Sequence, residues 1–205
     1  MFNERGEGVI LKGGTVKVSK EDRLPHLDAD AAYDLLKRSL AEYRGEHKTQ
    51  PARVVIHKTS SFSVAEREGF ERALHERDIA LIDMLSIASE TSVRLFRDGY
   101  YPPLRGTWLA LDKQDAIIYT HGSVDFYNEY PGMYVPRSLY YRCEVTSQTQ
   151  RALGGEILAL SKMNWNDTNM GHTEPITIEA AKNVGAILKY LRDGDRMESS
   201  YRHYM

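Results

Sequence analysis

Residues 51–62 read PARVVIHKTSSF, and the reading of this stretch decides the fold. Val54, Val55 and Ile56 form a short β-branched run behind Pro51. A bounded run of this kind predicts a buried central strand rather than a half-exposed one. It stops abruptly on His57, Lys58, Thr59, Ser60 and Ser61. Ligands and catalytic groups of open α/β sheets gather beyond the carboxyl ends of the strands. These polar residues are therefore the first candidate functional edge, although they also fit a strand end followed by a helix cap.

The flanks support an α/β arrangement. Upstream, Asp28–Tyr43 carries Ala32, Leu35, Leu36 and Leu40 at helical spacing, with Asp28 or Asp30 placed to cap it. Downstream, Ser63 precedes Glu66 by three positions, a capping-box signature that opens a helix over Val64–Glu76. Phe70, Ala73 and Leu74 form its inner stripe, and Glu66, Glu68, Glu71 and Glu76 are expected on a solvated face. Ile79–Ser86 reads as a second apolar strand. Helix–strand–helix–strand favours a crossover with parallel pairing. Before this unit, Val9–Leu11 and Thr15–Val18 flank Gly13-Gly14 as an expected hairpin.

The second half changes character. Val93–Phe96, Gly106–Leu111 and Ala116–Tyr119 read as short strands, the last two at hairpin distance. A Tyr-, Gly- and Pro-rich loop over Gly122–Arg137 leads to an alternating strand at Ser138–Val145. Helices are expected over Gln148–Leu160 and Ile176–Leu191, separated by the polar stretch Ser161–Pro175.

Composition narrows the function classes. In 205 residues the hydrophobic share is 41% and the charged share 27%, ordinary for a globular domain, and the net charge of −2 gives no global pull toward polyanions. A local basic groove would still suffice for nucleic acid. The single cysteine, Cys143, excludes an internal disulfide framework and a multi-cysteine zinc site, and reads as a small buried strand residue in a reducing cytoplasm. No apolar run has membrane-spanning length, and no signal-peptide core opens the chain. Phosphate-loop, dinucleotide, HExxH and GxSxG patterns are all missing.

Two further stretches stand beside His57–Ser61. Tyr100–Thr107 (YYPPLRGT) sets Arg105 and Gly106 at the start of a strand, or in a rigid proline turn with an ordinary surface arginine. Lys162–Asn169 (KMNWNDTN) places a lysine and several asparagines beside Trp165. Amide and ammonium donors next to an aromatic suit phosphate and sugar contacts, and they equally suit a helix C-terminus with its capping asparagines.

HKTSSF followed by E-x-x-G-F, then YPPLRGT, then the YVP of Tyr134–Pro136, then LSKMNWN and PITIEAAKNVG, together resemble the C-terminal part of a PIWI domain of the prokaryotic Argonaute type. The likeness runs from about Asn3 to the C-terminus. It implies an α/β, RNase H-like PIWI fold, a central mixed sheet flanked by helices, incomplete at the N-terminal side. Residues 1–205 would be one partial PIWI domain with a C-terminal tail over 192–205. It also implies binding of a guide strand and its paired target, DNA or RNA, in host defence. The remaining partners would be a MID region or a separate N-terminal half, and a separate effector subunit.

Active members of this family hold two divalent cations on an Asp, a Glu, a second Asp and a final Asp or His. By resemblance the first lies before Met1, and the Glu falls near Glu21–Asp22. The second Asp position is occupied by Thr59, and the last lies within Asn164–Glu179, where Asp167, His172 and Glu179 are alternatives. A threonine hydroxyl cannot supply a carboxylate's charge or bridging geometry. The resemblance therefore implies a module that binds without cutting, with degenerate positions at Asp22 and Thr59. The alternatives are an endonuclease completed by another segment, and a guide-binding subunit that activates an effector. Phosphate contacts are expected from Lys58, Arg105, Lys162, Asn164 and Asn166, with Lys12 and Arg137 as further candidates. The Met205 carboxylate is expected to ligate a Mg²⁺ ion at the guide 5′-phosphate.

Overall fold

The computed structural model describes residues 1–3, 5–14, 16–18, 23–89, 91–127, 135–164, 172–190 and 198–204. Seven strands are defined among them: β1 (Lys17–Val18), β2 (Pro25–His26), β3 (Arg53–Lys58), β4 (Leu81–Ala88), β5 (Trp108–Ala110), β6 (Asp115–Ile118) and β7 (Leu139–Val145). Four helices accompany them: α1 (Ala29–His47), α2 (Val64–His75), α3 (Gln150–Leu160) and α4 (Ile176–Leu188). The main sheet has the order β3-β4-β7-β6-β5 and is mixed, with β3 parallel to β4 and β5, β6 and β7 antiparallel. The chain divides into two compact units. One holds residues 1–86, 144–147 and 198–201, and the other holds the rest.

In the first unit the crossover is the expected one. Asp28 caps α1 by accepting from the Ala31 N–H at 2.9 Å. Ser63 and Glu66 form the full capping box of α2. Ala32, Leu36 and Leu40 of α1 meet Phe70, Ala73 and Leu74 of α2 over Met84, with Val54, Ile56 and Ile82 against the same cluster. The pleat explains the division of β3: even positions face the helices and odd positions face away.

Three expectations change here. First, β3 is half-buried and lies at the edge of the five-strand order, while β4 carries the more buried run. A β-branched run reports burial of side chains but not a strand's rank in a sheet. Second, Val9–Leu11 does not pair with β1: Val9 bridges Ser200, and β1 pairs with β2. A glycine pair permits a hairpin without fixing the partner. Third, Glu66 is 1% exposed, whereas Glu68, Glu71 and Glu76 lie on the solvated face as expected.

Asp83, in the apolar run of β4, is fully buried. A buried carboxylate must be paired. Its oxygens accept from Arg53 Nε at 2.5 Å, from the Ser147 N–H at 2.5 Å and from the Ser147 hydroxyl at 2.9 Å. Burial alone would raise its pKa, but these donors outweigh it and hold Asp83 below the usual carboxylate range.

In the second unit, Asp112 closes the β5–β6 hairpin by accepting from the Gln114 and Asp115 N–H groups, both at 2.7 Å. Arg142 on β7 lies opposite Asp115 on β6 and grips its carboxylate with two hydrogen bonds of 2.6 Å. Trp108 Nε1 donates to the Tyr141 hydroxyl, which donates to the Gln150 carbonyl at the start of α3. Cys143 is buried on β7 as expected. Residues 93–96, expected as a strand, are in none: the Leu95 N–H donates to the Tyr119 hydroxyl instead of a ladder carbonyl.

Candidate nucleic-acid interface

The polar group after β3 divides between two environments. Lys58 takes an even position and turns toward α2, where its Nζ donates to both oxygens of Glu66 at 2.7 Å. The same carboxylate accepts from the Leu27 N–H at 3.0 Å and the Ser63 N–H at 2.8 Å, and His26 Nδ1 stands 3.1 Å away. Burial would raise the Glu66 pKa, but Lys58 and the backbone donors hold it lowered. Lys58 therefore carries a structural duty, stapling the end of β3 to α2 and to the segment before α1. Thr59 follows at a bend and is exposed.

His57 takes the opposite face and has its Nε2 shielded from solvent. Burial first, and the Arg53 charge second, push its pKa down to about 4. The folded chain thus binds fewer protons than the unfolded one between about pH 4 and 6.5, so stability rises with pH across that window. It is fully present above about pH 6.5 and is lost on acidification toward pH 4. A shift of this size is worth roughly 3 kcal/mol. Denaturant titrations across this range should show His57→Gln losing less stability than the wild type; parallel curves would exclude His57 as the source.

The second stretch forms a rigid turn in the second unit. The Thr107 N–H donates to the Leu104 carbonyl at 3.0 Å, and Gly106 between them has φ +87°. The turn is clamped on both sides: Arg105 N–H to Ser123 O at 2.9 Å, Ser123 N–H to Pro103 O at 3.1 Å, and Gly106 N–H to Tyr119 O at 2.7 Å. A Cβ on Gly122 would stand 2.5 Å from the Pro103 carbonyl oxygen, so the clamp requires glycine there. The proline-turn reading of the sequence is therefore the one the structure adopts, and it fixes the backbone of Arg105. Arg105 Nε is buried and has no hydrogen-bond partner among the described residues.

Lys162 follows the end of α3, with its Nζ donating to the His172 carbonyl at 3.1 Å. Burial, and then the Arg105 charge, lower its pKa to about 8. An anion near Lys162 would offset the cost of burying its charge. Asn164 Nδ2 lies 3.5 Å from His172 Nε2, and His172 Nδ1 lies 3.0 Å from Glu179 on the first turn of α4. Two of the three alternatives for the last carboxylate position are thus paired with one another. Asp22, Asn166, Asp167 and Met205 lie outside the described residues. Among the described residues the one grouping with metal-ligand spacing is Glu7, Glu46 and His47, none of them expected from the sequence as a site.

No family model matches the chain, and no curated protein matches it by sequence. Solved structures do. Clostridium butyricum Argonaute bound to a guide DNA and a 19-mer target DNA matches with a TM-score of 0.67 at 18% identity, over 83% of this chain and 22% of that one. A. aeolicus Argonaute matches at 0.62 and 16% identity, over 86% and 24% respectively. Marinitoga piezophila Argonaute in complex with a 5′-OH guide RNA matches at 0.60 and 14% identity, over 89% and 26%. The chain thus spans about a quarter of the length of these proteins, and among its described residues no helix is long and apolar enough to cross a membrane. At these identities the likeness establishes the fold: an α/β, RNase H-like PIWI fold, with a mixed sheet flanked by helices, shared with the corresponding part of Argonautes.

Proposed function

We propose that this chain is a guide-binding PIWI module of an Argonaute-type protein of prokaryotic defence, which holds a guide strand and its paired target without cutting. The observation that carries the binding part is the setting of two cations: a clamped Arg105 whose shielded Nε has no hydrogen-bond partner among the described residues, and Lys162, whose pKa burial and then the Arg105 charge lower to about 8. Phosphate contacts position a nucleic acid without reading its sequence, and need such cations on rigid backbone. Asn164 and Asn166 are proposed as further phosphate contacts on the resemblance alone. Lys58, committed to Glu66, would serve the bound strand chiefly by holding the end of β3. The non-cutting part is supported by Thr59, a neutral exposed hydroxyl at the strand end where the resemblance calls for a metal-binding carboxylate. A Mg²⁺ ion held by the Met205 carboxylate at a guide 5′-phosphate completes the proposal. That part rests on the resemblance alone.

The test is binding of guide–target duplexes by anisotropy across a salt series. Arg105→Gln should reduce the log–log salt slope by about one unit. A phosphate beside Lys162 favours its charged form, so wild-type affinity should fall as pH rises through about 8, while Lys162→Arg should keep its affinity through that range. An unchanged salt slope in Arg105→Gln would sink the phosphate role. Guide-directed target cleavage by the whole protein with Mg²⁺ or Mn²⁺ would sink the non-cutting reading.

A further inference from the structure

A groove of about 710 Å³ lies in the first unit, on the face of α1 turned away from Ala32, Leu36 and Leu40. Its floor is made of small residues, Gly14, Ala31 and Ala41, and its walls carry Lys37, Arg38 and Arg77 against a single carboxylate, Asp34. Asp34, Lys37, Arg38 and Ala41 stand at helical spacing and so share one face.

None of the three cations forms an ion pair with a carboxylate among the described residues, and Glu76 and Asp34 favour the charge on Lys37 only from further off. The guanidinium of Arg38 donates to two carbonyls, Asp34 O at 3.3 Å and Lys12 O at 3.0 Å, and to no carboxylate among the described residues. Lys37 Nζ donates to the Tyr33 hydroxyl at 2.8 Å and lies 4.9 Å over that ring. Its nearest acid along that path, Glu76, is one bond further on, accepting from the Tyr33 hydroxyl at 2.7 Å. Arg77 follows α2, and its side chain makes no hydrogen bond or ion pair among the described residues.

We propose that this groove binds the phosphodiester backbone of a nucleic-acid segment, as a contact surface separate from Arg105 and Lys162. Charge complementarity calls for a polyanion. The lining offers no aromatic or large aliphatic anchor of the kind that centres a protein interface. Backbone phosphates need none, because counterion release supplies the affinity. The choice of phosphate over a carboxylate-rich peptide rests on the proposed nucleic-acid-binding function.

The experiment uses the intact chain and labelled single- and double-stranded oligonucleotides. Anisotropy is read across a salt series for the wild type, Lys37→Gln/Arg77→Gln and Arg105→Gln, with thermal unfolding to confirm that each variant folds. The double variant should bind at least about tenfold more weakly at low salt, with a slope shallower by about two units. Unchanged affinity and slope in the double variant, with weakened binding in Arg105→Gln, would overturn the groove and leave the proposed function standing. No binding by the wild type would overturn both. Poly-glutamate that binds the wild type as tightly as the oligonucleotides, and is lost in the double variant, would make the occupant an acidic protein segment and overturn the phosphate assignment.

Discussion

Replacing Lys58 by alanine is expected to lower folding stability by about 3 kcal/mol, because removing one partner of a buried ion pair strands the other. The stranded group is Glu66, which is 1% exposed and keeps, among the described residues, the Leu27 and Ser63 N–H groups and His26 as its polar partners. The acid limb of stability should move as well. In the wild type the Glu66 pKa lies below its ordinary value, so its contribution is present above the unfolded pKa and is lost as pH falls through the folded one. Without Lys58 that pKa rises toward or past its unfolded value, so this acid-dependent loss shrinks and the substitution should cost less at pH 5 than at pH 7. Adding Glu66→Gln to Lys58→Ala should recover part of the stability, since a neutral amide tolerates the site better than an unpaired carboxylate. Denaturant unfolding of the three variants at pH 7 and at pH 5 checks this. A Lys58→Ala protein as stable as the wild type, but with a shallower salt slope for nucleic acid, would return Lys58 to the phosphate contacts.

Gly69→Ala should cost about 3 kcal/mol, at the upper end for overpacking, because its new methyl has nowhere to go. A Cβ there would meet the Ala29 carbonyl oxygen at 2.2 Å and the Ala32 Cβ at 2.9 Å, and neither is the flexible end of a side chain. The first turn of α1 would have to withdraw from α2, loosening the cluster under Met84. Gly45, on the same helix α1, is the internal control: a Cβ there meets nothing within 4 Å. Gly45→Ala should stabilise by up to about 1 kcal/mol through helix propensity alone. Equal effects of the two substitutions would contradict the close approach of α1 and α2.

The parts of this protein that were legible in its sequence are those set by neighbours along the chain. The capping box at Ser63 and Glu66, the cap at Asp28 and the hairpin over Asp112–Asp115 each depend on hydrogen bonds spanning only a few residues, and all are present. The stripes of α1 and α2 follow from periodicity, and the short β3–α2–β4 crossover gives parallel pairing. The proline and glycine of YPPLRGT fix the turn that carries Arg105. Glu66 shows the limit. Its spacing from Ser63 identified the cap, but a helical carboxylate with polar neighbours reads as solvated. Only the pairing of β3 and α2 brings Lys58 against it, through a contact that local pattern does not encode. Asp83 did leave a trace, a lone charge in an apolar run, yet its partners Arg53 and Ser147 lie 30 and 64 residues away.

By itself, then, the sequence determined the order of helices and strands, their caps, the turn at Arg105 and a resemblance that named the fold. Those features are written in residue type and short spacing. The tertiary structure decided the rank of β3 at the edge of the sheet order, the duty of Lys58, the shielding of His57 and Arg105, the coupling of Arg105 to Lys162, and the cationic groove on α1. Each of these depends on which side of a strand or helix meets which distant segment. That choice is made by packing the whole core, where burial changes what a charge costs and so what a cation is left free to bind.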